Sequence, residues 1–171
     1  LFAADMRHRA KGRWIAAAIR SMLQSNRGAA QSLAAHDATA CTDVTGFGLL
    51  GHLQRMLAAS GVGARIDASA VPVLPGILDL ATLDVVPGGT QRNHAYLRST
   101  VQWGRLSLPE QLVLADAQTS GGLLIAALDH EWMAGELTRR GIAWADIGVT
   151  AAGRPGTIAV TGQLAHAASA P

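Results

Sequence analysis

The stretch Thr42-Asp43-Val44-Thr45-Gly46-Phe47-Gly48-Leu49-Leu50-Gly51-His52-Leu53 carries the reading of the whole chain. Just before it, Ala38 to Thr42 is a run of small residues that reads as a brief strand. Asp43 to Gly48 is a tight, polar, glycine-rich corner. Beyond it Leu49, Leu50, Leu53, Met56 and Leu57 recur at helical spacing until Ser60 and Gly61 stop them. Strand, corner, helix is the order in which main-chain amides meet an anion at a helix N-terminus. Gly46 and Gly48 permit backbone angles and close approaches that a Cβ blocks. Asp43, at the strand end, is a hard oxygen ligand of the kind that suits a partly hydrated Mg2+ bridging phosphates. A plainer reading stands beside this one, with Asp43 as an N-cap and glycines that only turn the chain.

Working outward, Trp14, Ile15, Ala18, Ile19, Met22 and Leu23 predict a helix from Arg9 to Arg27, stopped by Asn26 and Gly28. A shorter helix is expected from Gln31 to Ala35. Val62 to Asp67 reads as a strand, and Val71 to Asn93 as a loop-rich region around one short helix from Gly76 to Leu83. Leu108 to Leu114 predicts a helical turn or two, Gly121 to Leu128 an apolar strand, and Glu131 to Arg140 a helix ended by Gly141. Ile142 to Val149 and Thr157 to Thr161 read as strands around a Gly153-Arg154-Pro155-Gly156 turn. Helices and strands without strict alternation predict an α+β fold, helices packed on a mixed or antiparallel sheet. A single domain is expected over 1–162, with a frayed tail from 163 to 171.

The 171 residues, 49% hydrophobic but only 4% aromatic, suffice for one core and exclude whole-chain disorder. Fourteen Lys and Arg against twelve Asp and Glu leave a net charge of +2, and the basic residues cluster only at Arg7, Arg9, Lys11 and Arg13. No nucleic-acid partner is expected from that balance. No apolar run reaches the ~20 residues of a membrane span, so no membrane partner is expected, and a cytoplasmic location is. The one cysteine, Cys41, excludes an internal disulfide and a multi-thiolate zinc cluster. It is expected to be a buried, inert thiol whose pKa the neighbouring Asp43 raises. The chain begins with Leu1 rather than Met, as a fragment or a processed product does.

Two further clusters carry chemistry on paper. Asp116-Ala117-Gln118-Thr119-Ser120-Gly121-Gly122 sets two hydroxyls and two glycines before an apolar strand, suited to cradling an anion or simply to entering a packed strand. In Pro87-Gly88-Gly89-Thr90-Gln91-Arg92-Asn93, Arg92 offers a fork to phosphate and Asn93 a cap for the next helix; a Pro-Gly turn with an exposed Arg explains the segment as well. His52 reads as a packed or capping group. No paired metal-binding histidines, nucleophile elbow or Lys-containing phosphate loop is present, so no residue is assigned as catalytic.

The segment from Thr42 to Leu53 closely resembles a signature of the selenophosphate synthases, or selenide, water dikinases. Gln118-Thr119-Ser120-Gly121-Gly122-Leu123-Leu124 looks like their second signature, and Val86-Pro87-Gly88-Gly89-Thr90 with Arg92-Asn93 resembles a third. Order and spacing agree from about Trp14 to Val160. The resemblance implies a relative of aminoimidazole ribonucleotide synthetase that turns selenide, ATP and water into selenophosphate, AMP and orthophosphate. It also implies two halves, an N-terminal one that pairs in a homodimer and a C-terminal α/β one, of which this chain is the second. By the same resemblance Asp43 is a Mg2+ ligand at the ATP phosphates, Gly46 and Gly48 let the backbone approach them, and Thr42 and Thr45 hold Asp43 in place.

The chain also departs from the family pattern. The family's catalytic Cys or selenocysteine, its adjacent Lys and its other magnesium-binding Asp residues belong to the N-terminal half, and Cys41 does not match that nucleophile. Ala117 stands where the second signature usually has Pro. The resemblance therefore implies partners in ATP, selenide and a missing N-terminal half, with the chain inactive alone. Two other readings remain open: a non-catalytic binding or assembly module, and an enzyme of the same superfamily acting on another phosphate-bearing substrate.

Overall fold

The computed structural model describes residues 1–34 and 38–165. Helix α4 (Gly48–Ser60) puts Leu50, Leu53 and Leu57 on one face, and all three are buried. That face lies on a four-stranded sheet of β2 (Gly63–Asp67), β3 (Val101–Gln102), β5 (Gly148–Ala151) and β6 (Ile158–Thr161), in the order β3-β6-β2-β5. The sheet is mixed: β6 runs parallel to β2 and β3, while β5 is antiparallel to β2. Ala64 and Ile66 of β2 and Ile158 and Val160 of β6 face the core with period two. Helices α6 (Gly88–Leu97) and α7 (Leu108–Leu114) complete it through Leu97 and Leu114.

Two smaller clusters flank this core. An antiparallel ribbon of β1 (Ala38–Asp43) and β4 (Leu123–Ala127) packs with α3 (Arg27–Ala34) and α8 (His130–Arg139) around Ala29, Met133 and Leu137. Elsewhere α1 (Phe2–Asp5), α2 (Gly12–Met22) and α5 (Ile77–Thr82) meet around Ala4, Trp14, Leu80 and Val85. Buried Glu110 is fully engaged: one oxygen accepts from the Ser107 N–H and hydroxyl, and the other from the Leu164 N–H. A carboxylate so placed closes the first turn of α7 and ties down the chain beyond β6.

The α+β expectation holds, with four corrections in detail. The helix expected from Arg9 to Arg27 is α2 alone, because Arg27 and Gly28 begin α3 rather than follow a stop. The helix expected from Gln31 to Ala35 is thus longer at its start, and Ala35 lies outside the described residues. The loop-rich reading of Val71 to Asn93 misses α6, whose buried positions are Thr90, His94 and Leu97. Two of those three are polar, so the helical spacing leaves no apolar stripe to read. The strand expected from Ile142 to Val149 shrinks to β5, since Ile142 packs into the α3–α8 cluster and the Trp144 indole N–H donates to the Thr138 hydroxyl at 2.8 Å. Of the tail from 163, Leu164 is buried and 166–171 lie outside the described residues. Among the described residues no helix is long and apolar enough to cross a membrane.

Leu57, 1% exposed in the main core, is the place to test this packing. Leu57→Ala is expected to cost about 3 kcal/mol through the cavity it leaves, lowering Tm by roughly 6–12 °C in thermal unfolding followed by circular dichroism. Leu83→Ala, at a side chain 56% exposed, is expected to stay within about 0.5 kcal/mol.

Candidate functional site

β1 ends on Asp43, opposite Leu123 of β4. Past that pair the ribbon's hydrogen bonding continues into the corner. The Val44 N–H donates to the Gly122 carbonyl (3.0 Å), the Gly121 N–H returns to the Val44 carbonyl (3.1 Å), and the Gln118 N–H donates to the Thr45 carbonyl (3.1 Å). The 116–122 loop therefore lies along the corner, main chain to main chain. Gly121 allows the approach: a Cβ there would sit 2.2 Å from the Val44 carbonyl oxygen. Gly48 allows a second one, since its φ is +71° and a Cβ would lie 2.7 Å from the Ala115 carbonyl group. The C-terminal end of α2 is tied in by Asn26, which donates to the Gly121 carbonyl, and by the Ser120 hydroxyl, which donates to the Met22 carbonyl.

The third sequence cluster joins the same unit. Pro87 is the N-cap of α6, which places Thr90 and Asn93 on the side facing the corner. The Thr90 hydroxyl donates to Asp116 Oδ1 at 2.5 Å and accepts from the Ala117 N–H at 3.3 Å. Asn93 does not cap a following helix; it lies inside α6, and its Nδ2 donates to the carbonyls of Gly46 (2.9 Å) and Ala115 (3.1 Å). Arg92 is exposed beside Gly88 and Gly89. Three segments far apart in sequence thus form one hydrogen-bonded unit, and the roles of Thr90, Asn93 and Asp116 within it escaped sequence reasoning. A single Asn that bridges two distant carbonyls looks the same in sequence as one that caps a helix.

Asp43 is exposed, and its carboxylate makes no hydrogen bond to any described residue. Neither threonine expected to hold that carboxylate does so: the Thr42 hydroxyl donates to the Asp43 main-chain carbonyl (3.2 Å), and the Thr45 hydroxyl pairs with His52 Nε2 (3.1 Å). His52 is packed as expected, edge-on to the Phe47 ring at 5.5 Å. The Arg55 guanidinium lies 3.9 Å from the Phe47 ring centroid, a cation–π contact on the exposed rim of the corner. A Cβ on Gly46 would meet nothing within 4 Å. Cys41 is exposed, contrary to the buried thiol expected, because it alternates outward with Thr39 and Asp43 along β1. Partial desolvation of the sulfur, with the Asp43 charge second, still pushes its pKa up. Among the described residues no three His, Cys, Asp or Glu gather to hold a metal, so Asp43 can serve as one ligand but not as a metal centre.

This geometry makes Gly48 and Asp116 testable. Gly48→Ala must adopt a positive φ and displace the Ala115 main chain, so it is expected to destabilise by about 2 kcal/mol or more, whereas Gly46→Ala leaves Tm nearly unchanged. Asp116 has its pKa raised from 3.8 by burial, opposed by the Thr90 hydrogen bond. Its contribution to stability is complete below the unfolded pKa and is lost as pH rises through the higher folded one. Asp116→Asn keeps an acceptor for Thr90, so denaturant titrations from pH 3 to 8 are expected to show a flatter stability profile, with stability at pH 8 equal to or above that of the parent.

Residues 16–161 match the family model described as AIR synthase related protein, C-terminal domain. The chain is 43% identical over 111 residues to a selenide, water dikinase of Trichlorobacter lovleyi, covering 65% of this chain and 32% of that protein. It is 50% identical over 93 residues to the selenide, water dikinase of Escherichia coli K12, covering 52% of this chain and 25% of that one. The chain thus spans about a third or less of the curated relatives it matches. Among solved structures, a thiamine-monophosphate kinase from Stenotrophomonas maltophilia superposes with a TM-score of 0.48 at 22% identity, over 78% of this chain and 34% of that one. With the family model covering residues 16–161, the chain belongs to the AIR synthase related proteins, as their C-terminal domain.

Proposed function

We propose that this chain is the C-terminal half of a selenophosphate synthase, a phosphotransferase that converts selenide, ATP and water to selenophosphate, AMP and orthophosphate. The observation that carries the reading is the convergence of the Asp43 corner, the 116–122 loop and α6 into one hydrogen-bonded unit. The three segments that resemble the signatures are the three that meet. Identity of 43–50% to selenide, water dikinases supports the choice of substrate class within the family.

In this reading the unit faces the ATP phosphates. Asp43, exposed and free of hydrogen bonds to described residues, would hold one Mg2+ together with carboxylates of an N-terminal half. That ion supplies neutralisation of phosphate charge during transfer. The chain's own part is to hold the Asp43 carboxylate at the strand end and to bring the main chain of Thr42, Thr45, Gly46 and Gly48 against the phosphates. Phosphate transfer depends on positioning and on charge fixed in advance, so a rigid corner is itself a catalytic contribution. The first half supplies the nucleophile and pairs in a homodimer, and the assembled enzyme works in the cytoplasm, where a lone Cys41 stays reduced. Leu23 and Leu128, 78% and 80% exposed, are apolar side chains that a docked half would cover.

Asp43→Asn in the full-length protein tests the assignment. Selenide- and Mg2+-dependent ATP consumption is expected to fall on the order of a hundredfold with Tm unchanged, and the isolated chain is expected to show no turnover. Unchanged activity of the variant would remove Asp43 from the site, and selenophosphate formation by the isolated chain would remove the two-half reading.

A further inference from the structure

We infer that Asn93 is the positioning residue of the corner: its carboxamide is the latch that holds the tip, Gly46 and Phe47, in place. The Phe47 ring rests on His52 and Arg55 of α4, but the Gly46 main chain has no packing of its own. A Cβ on Gly46 would find nothing within 4 Å, and both Gly46 and Phe47 are exposed. The segments on either side are anchored, Val44 and Thr45 to the 116–122 loop and Gly48 through its N–H to the Thr45 carbonyl at 2.9 Å. At the Gly46 main chain the one hydrogen bond among the described residues is made by its carbonyl, which accepts from Asn93 Nδ2. The second N–H of the same amide goes to the Ala115 carbonyl, at the end of α7 where the Gly48 main chain makes its closest approach. Both acceptors are carbonyls, so only the NH2 side of the amide satisfies them.

The consequence concerns the backbone donors. The N–H groups of Gly46 and Phe47 make no hydrogen bond to any described residue, and they lie immediately before the first turn of α4. Pulling the Gly46 carbonyl toward α6 fixes the plane of the Gly46–Phe47 peptide, and with it the direction of the Phe47 N–H. Asn93 never touches the anion in this arrangement; it presets the Phe47 N–H, which otherwise rotates about a glycine, while the Gly46 N–H shares its peptide plane with the Thr45 carbonyl that Gln118 and Gly48 already hold. The inference deepens the proposed function, resting on the reading that this corner faces the ATP phosphates.

Asn93→Leu, of similar size but without donors, tests it in the full-length protein. Hydrogen exchange read by mass spectrometry in the absence of nucleotide is expected to quicken about tenfold over residues 44–52, with exchange across β2, β6 and the rest of α4 unchanged. The KM for Mg·ATP is expected to rise about tenfold, while Asn93→Gln, which keeps the donors, recovers part of both effects. Should Asn93→Leu fail to fold, Asn93→Asp, which sets an acceptor against two carbonyls, is expected to give the same local pattern. Exchange that stays at the parent rate over 44–52, or quickens uniformly across the chain with a matching fall in Tm, overturns the latch. Local quickening with an unchanged KM for Mg·ATP overturns only the claim that the preset Phe47 N–H meets phosphate. An inert Asp43→Asn beside a responsive Asn93→Leu faults the magnesium assignment and leaves the latch standing.

Discussion

Two stretches of main chain meet at Gly48 and Ala115 with no side chain between them, and the rest of the site depends on that contact. Backbone brought this close must pair its polar groups or lose them to burial, and here each segment supplies what the other lacks. The 116–122 loop gives N–H groups to Val44 and Thr45 and takes one from Val44. α6 adds the Thr90 hydroxyl and the Asn93 amide from a third direction. A loop that would otherwise owe its shape to solvent is thereby held by three elements.

The position of this seam in the fold explains why the three motifs gather there. Leaving β1, the chain passes through the corner from the ribbon with α3 and α8 into the main core that α4 builds on the sheet. Rigidity comes from the Leu50, Leu53 and Leu57 stripe on one side and from the β1–β4 pairing on the other. The corner between needs no core of its own. Asp43 sits exposed at the end of the ribbon and makes no ion pair with any described residue.

How far the sequence could be read depended on whether the signal was local. The α4 stripe was legible because Leu50, Leu53 and Leu57 are apolar and their spacing is that of a helix face. The polar corner before it was legible because Gly46 and Gly48 beside Asp43 mark a tight turn between a strand and a helix. α6 was not, because its buried positions include Thr90 and His94, which satisfy themselves on Asp116 and on Gln111 rather than by joining an apolar stripe. Ile142 to Val149 misled for the opposite reason. Ile142 is spent on the α3–α8 cluster and Trp144 on Thr138 of α8, so the backbone meets β2 only from the Ile147 carbonyl, which accepts from the Asp67 N–H, onward.

By itself, the sequence determined the α+β class, the strand–corner–helix at Asp43 and the three motifs, since turn chemistry and side-chain periodicity act over a few residues and are written in order along the chain. Only the tertiary structure decided that these motifs are one unit. It decided too that Asn93 bridges rather than caps, that Thr45 serves His52 rather than Asp43, and that Cys41 faces outward. Each of those outcomes turns on which distant carbonyl, ring or strand arrives within hydrogen-bonding or packing distance, and that is set by how α4, α6 and α7 share one core.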